Sequence, residues 1–274
     1  MAEIDSGTLP PPAIVAFGVR ERARDLLKRS IPRRRGKLTL VRNRAEVLAA
    51  LKVGYTDAVV VDLAQPTDEH WAVAALAREF PSIPFLALGP LRPNEAPHLA
   101  RACSEFEFAD ILVEGTEDVV LRELLLPLTF TSRFADALRG ADDVLGLTSD
   151  LQRAVWRLVI GHGGRTVRTE TIAEAVGLTR EHLSRRFSSD GAPNLKRVID
   201  LARILAAAEL AKNPGYDLPD VSRVLGFASA SHLSSSCQRL IGVRSSSLAR
   251  LRPGDLVDRF VKQGRGRSRS RAAD

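Results

Sequence analysis

The sequence predicts an α/β half followed by an all-α half, and three observations carry that reading. Between residues 13 and 126, five short apolar runs alternate with amphipathic stretches. After residue 149, a pattern of short helix, glycine turn and second helix occurs twice, with Gly177 and Gly226 at the two turns. Charge is unevenly divided: residues 1–140 hold 18 Lys and Arg against 19 Asp and Glu, residues 141–274 hold 22 against 14. A chain of 274 residues is long enough to bury two cores, and its basic half implies a polyanionic partner.

In the first half, AIVAFG (13–18), KLTLV (37–41), DAVVVDL (57–63), IPFLALG (83–89) and FADILV (108–113) predict buried strands. Helices are expected near 20–30, 43–53, 67–80, 94–104 and 116–126. Strands alternating with helices predict a doubly wound, five-stranded parallel sheet, flavodoxin-like in class, whose ligands sit at the carboxyl ends of the strands. The order resembles the receiver domain of bacterial response regulators. The best match is VVVDLAQP (59–66), where Asp62 ends the third strand and Pro66 follows four residues later, as at that family's phosphoacceptor.

Phosphorylation there needs Mg²⁺ with further oxygen ligands, and a cation and a hydroxyl for the phosphoryl oxygens. This chain departs at each position. The first strand ends Phe17-Gly18-Val19 where receivers carry an acidic pair, Gly89 stands where Ser or Thr is expected, and Glu114 replaces the family's Lys. Asp62 is therefore expected to be a vestigial phosphoacceptor position that caps or turns the following loop. The half becomes a pseudo-receiver acting in regulation or dimerisation without phosphorylation. Arg33-Arg34-Arg35, on the turn before the second strand, reads as a solvated loop.

LRELLLPLTFTSRFADALRG (121–140) continues the last helix, and Pro127 interrupts it. Leu124, Leu125, Leu128, Phe130, Phe134 and Leu138 form an apolar stripe that serves either the domain's own sheet or a homodimer through helix 128–140. The predicted boundaries are a flexible N-terminus (1–12), the pseudo-receiver (13–140), a linker (141–148), a helical domain (149–252) and a basic disordered tail (253–274).

The second half opens with SDLQRAVWRLVI (149–160), an amphipathic helix ended by GHGG (161–164), with His162 a turn residue. In TIAEAVGLTREHLSRRF (171–187), Gly177 stops one helix and Thr179 caps the next, with Leu183 and Phe187 facing inward. Its outer face carries Arg180, Glu181, Ser184 and Arg185. A long helix is expected at 194–212, broken by Asn213-Pro214-Gly215. LPDVSRVLGFASASHLSSSCQRLIG (218–242) then repeats the design, with Leu233 and Cys237 inward and Ala230, Ser231, His232 and Ser235 outward.

Residues 150–251 resemble the DNA-binding domain of AraC/XylS-type transcription regulators. The resemblance rests on Ile172 to Thr179, Leu183 to Phe187, Arg203 and Ala207 on the linking helix, and Leu225-Gly226-Phe227 before Ser231. It implies two reading helices held one DNA turn apart in successive major grooves. Glu181, Ser184 and Arg185 would face base edges, with Arg180 and Arg186 nearer the backbone. An Arg bidentate to guanine, here Arg185, carries the most information. The second copy departs: Ser235 stands where the family often has Arg, Cys237-Gln238 replaces Phe-Lys, Ser245 replaces Pro, and Arg250 lies one residue late. Short hydroxyls anchor or read weakly, so the first copy is expected to carry specificity and Ser231, His232 and Ser235 to contribute less.

Other classes find little support. MAEIDSGTLPPP is acidic and Pro-rich, unlike a signal peptide, and no apolar run reaches membrane-helix length. Cys103 and Cys237 are too few for a disulfide framework or a zinc site. No nucleophile–base pair, phosphate loop or metal cluster points to an enzyme, a cofactor or a metal. The expectation is a cytoplasmic, sequence-specific transcription regulator, nucleoid-associated when bound to DNA, that binds double-stranded DNA and no membrane; a small-molecule effector stays open but unsupported. The alternatives are an architectural DNA binder, favoured by the Arg-rich end QGRGRSRSRAAD (263–274), and a response regulator phosphorylated at Asp62.

Overall fold

The structure, a computed structural model, describes residues 9–189 and 191–271, with side chains to residue 264. The chain divides into two compact units. One comprises Pro11–Arg133 together with Asn213–Tyr216; the other comprises Phe134–Lys212 and the chain from Asp217 onward.

The first unit is the predicted doubly wound sheet. Strands β1 (Ala13–Phe17), β2 (Lys37–Val41), β3 (Ala58–Asp62), β4 (Phe85–Gly89) and β5 (Asp110–Val113) are all parallel, in the order β2-β1-β3-β4-β5. Between and after them run α1 (Glu21–Ser30), α2 (Arg44–Val53), α3 (Asp68–Ala74), α4 (Leu76–Glu79), α5 (Ala96–Phe106) and α6 (Asp118–Leu128). The helix expected over 67–80 is thus two helices that meet at Ala75.

β3 and β4 are buried at every position because helices cover both faces, which is why they read as unbroken apolar runs. The edge strand β2 is only partly covered. Asp57, fully buried just before β3, ties two segments together: one oxygen accepts from Ala13 N at 2.8 Å, the other from Thr131 N at 3.1 Å and from the Thr131 hydroxyl. Residues 213–216 are anchored within the same unit. Asn213 Oδ1 accepts from Ser82 N at 2.8 Å, and the Tyr216 hydroxyl donates to Leu51 O at 2.9 Å.

α7 (Phe130–Ala137) spans the division at Arg133–Phe134. The second unit continues with α8 (Ala141–Val144), α9 (Asp150–Gly161), α10 (Thr169–Ala175), α11 (Arg180–Phe187), α12 (Leu195–Leu210), α13 (Leu218–Val224), α14 (Ala230–Ile241), a 3-10 turn (Ser245–Arg250) and α15 (Pro253–Arg271). Its core is α12, the predicted linking helix, on which Val198, Leu201, Leu205 and Ala208 are at most 1 % exposed.

Three expectations need correction. Residues 141–148 are not a loose linker: α8 forms there, Leu145 and Leu147 are buried, and Arg153 bonds the Leu147 carbonyl. Phe130, Phe134 and Leu138 are buried within the chain itself, so the stripe over 128–140 is not an open dimer surface. The stretch 253–274 is helical as far as Arg271, because Leu256, Val257 and Phe260 fall on one helical face and are buried. The flexible N-terminus expected over 1–12 lies mostly outside the described residues.

Candidate nucleic-acid interface

Both helix pairs close through the same backbone device. Gly177 and Gly226 each take φ +67°, a left-handed conformation that a side chain disfavours. The next amide then turns back onto the first helix, Leu178 N to Ala173 O at 2.9 Å and Phe227 N to Ser222 O at 2.8 Å. Thr179 and Ser229 cap α11 and α14 by accepting from His182 N and His232 N. The second turn is one residue longer, because Gly226 stands three residues before its cap and Gly177 two.

The inward anchors are as predicted: Leu183, Phe187, Leu233 and Cys237 are all fully buried. Burial pushes the Cys237 thiol up to about 12, so it behaves as a small apolar group.

The outward faces differ. On α11, Arg180 pairs with Glu170 at 3.2 Å. Glu181, Arg185 and Arg186 are exposed and Ser184 is half-buried. No ion pair among the described residues engages Arg185 or Arg186. On α14, Ser231, His232 and Ser235 are also exposed, but two of them are engaged by nearby backbone. Ser235 Oγ donates to His232 O at 3.0 Å, and His232 Nδ1 accepts from Ala228 N at 3.4 Å with its ring edge-on to Phe227. Ser231 is exposed, whereas the half-buried Ser234 shares a hydrogen bond with Ser245.

The structure gives positioning roles to two side chains: Gln152, which the sequence reading missed, and Arg203, for which it gave no role. Gln152, fully buried on α9, accepts from Thr148 N and Ser149 N through Oε1. Its Nε2 donates to Phe187 O and Ser189 O, holding the end of α11. Only the first half of this was visible, as the capping box Ser149-x-x-Gln152. Arg203 on α12 plays the corresponding part in the second copy. It donates to Leu225 O and Gly226 O at 3.1 Å each and lies 4.1 Å above the Phe227 ring. Burial lowers its pKa and Asp200 partly offsets this. His162 is the turn residue expected, its Nδ1 2.7 Å from Leu158 O, and burial lowers its pKa.

The Asp62 position is occupied from within. Asp62, 2 % exposed, accepts from Ala64 N at 3.1 Å through one oxygen, the loop-turning role expected. Its other oxygen accepts from Arg20 N at 3.0 Å and Arg20 Nε at 2.9 Å. The same guanidinium bonds Glu114, which Arg22 also reaches at 3.1 Å. Burial alone lowers the Arg20 pKa, but bonding to Asp62 and Glu114 outweighs it and holds the pKa above the ordinary value. The site therefore does not lack a cation, as the sequence suggested; Arg20 reaches both carboxylates from the turn after β1. His70 borders it, edge-on to Phe17, its pKa lowered by burial.

Among the described residues no group of His, Cys, Asp and Glu is placed to hold a metal, and no helix is long and apolar enough to cross a membrane. Comparison with known proteins matches residues 172–250 to the family model described as a helix-turn-helix domain. No curated protein matches the chain. Solved structures similar to it include the signal receiver domain of an HD domain-containing protein from Pseudomonas fluorescens Pf-5. That match has 23 % identity, covers 43 % of this chain and 84 % of that one, and has a TM-score of 0.36. Full-length FixJ from B. japonicum is another, at 14 % identity over 83 % and 96 % of the two chains, with a TM-score of 0.36. Sheet order and register, rather than these scores, carry the receiver-like fold. Residues 172–250 are a helix-turn-helix domain of the AraC type, that of a DNA-binding transcription regulator, carried behind a receiver-like doubly wound sheet.

Proposed function

We propose that the chain is a sequence-specific regulator that reads the major groove mainly with α11, while α14 anchors on the backbone or reads weakly. One observation carries this reading: Arg185 and Arg186 stand exposed on α11 with no ion pair among the described residues, whereas the α14 hydroxyl of Ser235 is already bonded to its own helix. A guanidinium presented without a competing partner offers the bidentate geometry that distinguishes guanine. Glu181 and Ser184 flank it for neighbouring bases, and Arg186 and Arg180 serve the phosphates. Binding is thereby directed to double-stranded DNA, and no catalytic role is assigned.

The first unit works by regulation or dimerisation without phosphorylation. Asp62 is held by Arg20, and Glu114 supplies a second negative charge where an incoming phosphoryl group would need neutralising.

Selection of bound duplexes from a random pool at fixed salt tests the reading. The wild type is expected to enrich a defined half-site, and Arg185→Ala to lose preference at one base position. Equal displacement by specific and random competitor would leave only an architectural binder. Phosphoryl-donor-dependent binding lost in Asp62→Asn would restore the phosphorylated alternative.

A further inference from the structure

The edge of the first unit holds a pocket that neither the Asp62 position nor the DNA-binding helices use. It has a volume of about 410 Å³ and lies where α2 crosses β1 and the partly covered edge strand β2. Ala13 and Val15 of β1, Thr39 and Val41 of β2 and Ala49 and Ala50 of α2 form its walls. Its size and predominantly apolar lining fall within the range of small-molecule sites. The trough stays open because Ala49 and Ala50 of α2, and Gly54 just past its end, line it where larger side chains would fill the space.

Its charged groups are asymmetric. Glu46, at the end near Val41, is committed: its carboxylate accepts from Arg42 N at 2.7 Å and Asn43 Nδ2 at 3.1 Å. The Tyr55 hydroxyl is shared with Thr131. Lys37, at the opposite end of β2, lines the pocket, is exposed, and enters no ion pair among the described residues. Immediately before it lie the exposed Arg33, Arg34 and Arg35, also without an ion pair among the described residues. Lys37 is thus the cation of the lining, and the arginine run that precedes it in the chain adds to a positive local field.

We propose that this pocket binds a small apolar carboxylate, its aliphatic or aromatic body along Val15 and Ala49 and its head group toward Lys37. The fit is one of charge and shape: Lys37, the cation of the lining, meets the anion, and the apolar lining meets hydrocarbon.

Calorimetric titration of the full chain with decanoate, below its micellar range, and with 1-naphthoate distinguishes a chain-like from a planar body. Saturable binding at one site is expected for at least one of them. Ala49→Phe fills the trough from an exposed helix position and is expected to abolish that binding. Lys37→Glu is expected to weaken it several-fold, about what an exposed charge contributes. Circular dichroism and thermal unfolding of both variants verify that the fold is kept. Absence of saturable binding for both probes, or a Kd that survives either substitution in a folded variant, overturns the proposal.

Discussion

Arg20 and Arg185 show how the same side chain serves opposite ends. Arg20 is spent internally, its guanidinium bridging Asp62 and Glu114, whose side chains are 1 % and 5 % exposed. Arg185 projects from α11 with no ion pair among the described residues, its helix held from beneath by Leu183, Phe187 and Gln152. A charge that is neutralised within the fold contributes to stability; one left unneutralised on a rigid helix is available to a partner. Where arginines stand says less than where their counter-charges are.

The largest effect expected from this contrast is on stability. Arg20→Ala leaves two buried carboxylates without their main cation and is expected to cost about 3 kcal/mol, with sequence preference on DNA unchanged. The two tryptophans separate the units for measurement: Trp71 reports on the first and Trp156 on the second, so denaturant unfolding of single-tryptophan variants locates the loss. A shift confined to the Trp156 transition would break the comparison. Gln152→Ala, which strands two carbonyls and two amides, is expected to cost about 2 kcal/mol in the Trp156 transition.

Arg185→Ala is the mirror case. Its unfolding midpoint is expected to stay within about 0.5 kcal/mol of wild type, the range of surface substitutions. In competition binding, discrimination at one base pair falls by about 1–3 kcal/mol. Ser235→Ala is expected to change that discrimination far less. Glycine substitution sharpens the contrast between the two copies. Gly177→Ala and Gly226→Ala each force a left-handed alanine, about 1 kcal/mol. Gly226→Ala is expected to cost more, because its new methyl would meet Thr166 Oγ1 at 3.1 Å while Gly177 faces open space.

The smallest effect is that of pH. Burial holds the pKa of His70 and His162 below the ordinary 6.5, so the unfolded chain takes up protons first as pH falls. The stability contributed by their neutral forms is complete above pH 6.5 and declines below it, toward the folded pKa values. Unfolding midpoints between pH 7.5 and 5.5 are expected to fall accordingly, and His162→Gln to flatten that slope in the Trp156 transition.

Periodic features were legible in the sequence. The apolar runs locate all five strands, because a parallel sheet covered on both faces leaves no polar alternation to blur them. The glycine, cap and inward residues locate both helix pairs, because each is a local requirement met within a dozen residues. Arg20 on Asp62, Gln152 on Phe187 and Arg203 on Gly226 join residues 42, 35 and 23 positions apart. Such bonds have no spacing rule and depend on how elements pack. The end of the chain is a different kind of miss. Leu256, Val257 and Phe260 already lie at helical spacing, but the arginine-rich stretch beyond them dominated the composition. The stripe at Phe130, Phe134 and Leu138 was legible as apolar, while its destination was not, since an apolar face does not name what covers it.

Arg20 also fixes what the first unit is able to sense. A metal ion between two carboxylates comes and goes with its concentration, and a chelator can withdraw it. A guanidinium fastened to the backbone neither dissociates nor dilutes. Its local concentration is set by the chain, and its charge persists at any pH the fold survives. The corner between Asp62 and Glu114 is thus permanently loaded. On the proposed reading without phosphorylation, any signal that alters this unit enters elsewhere.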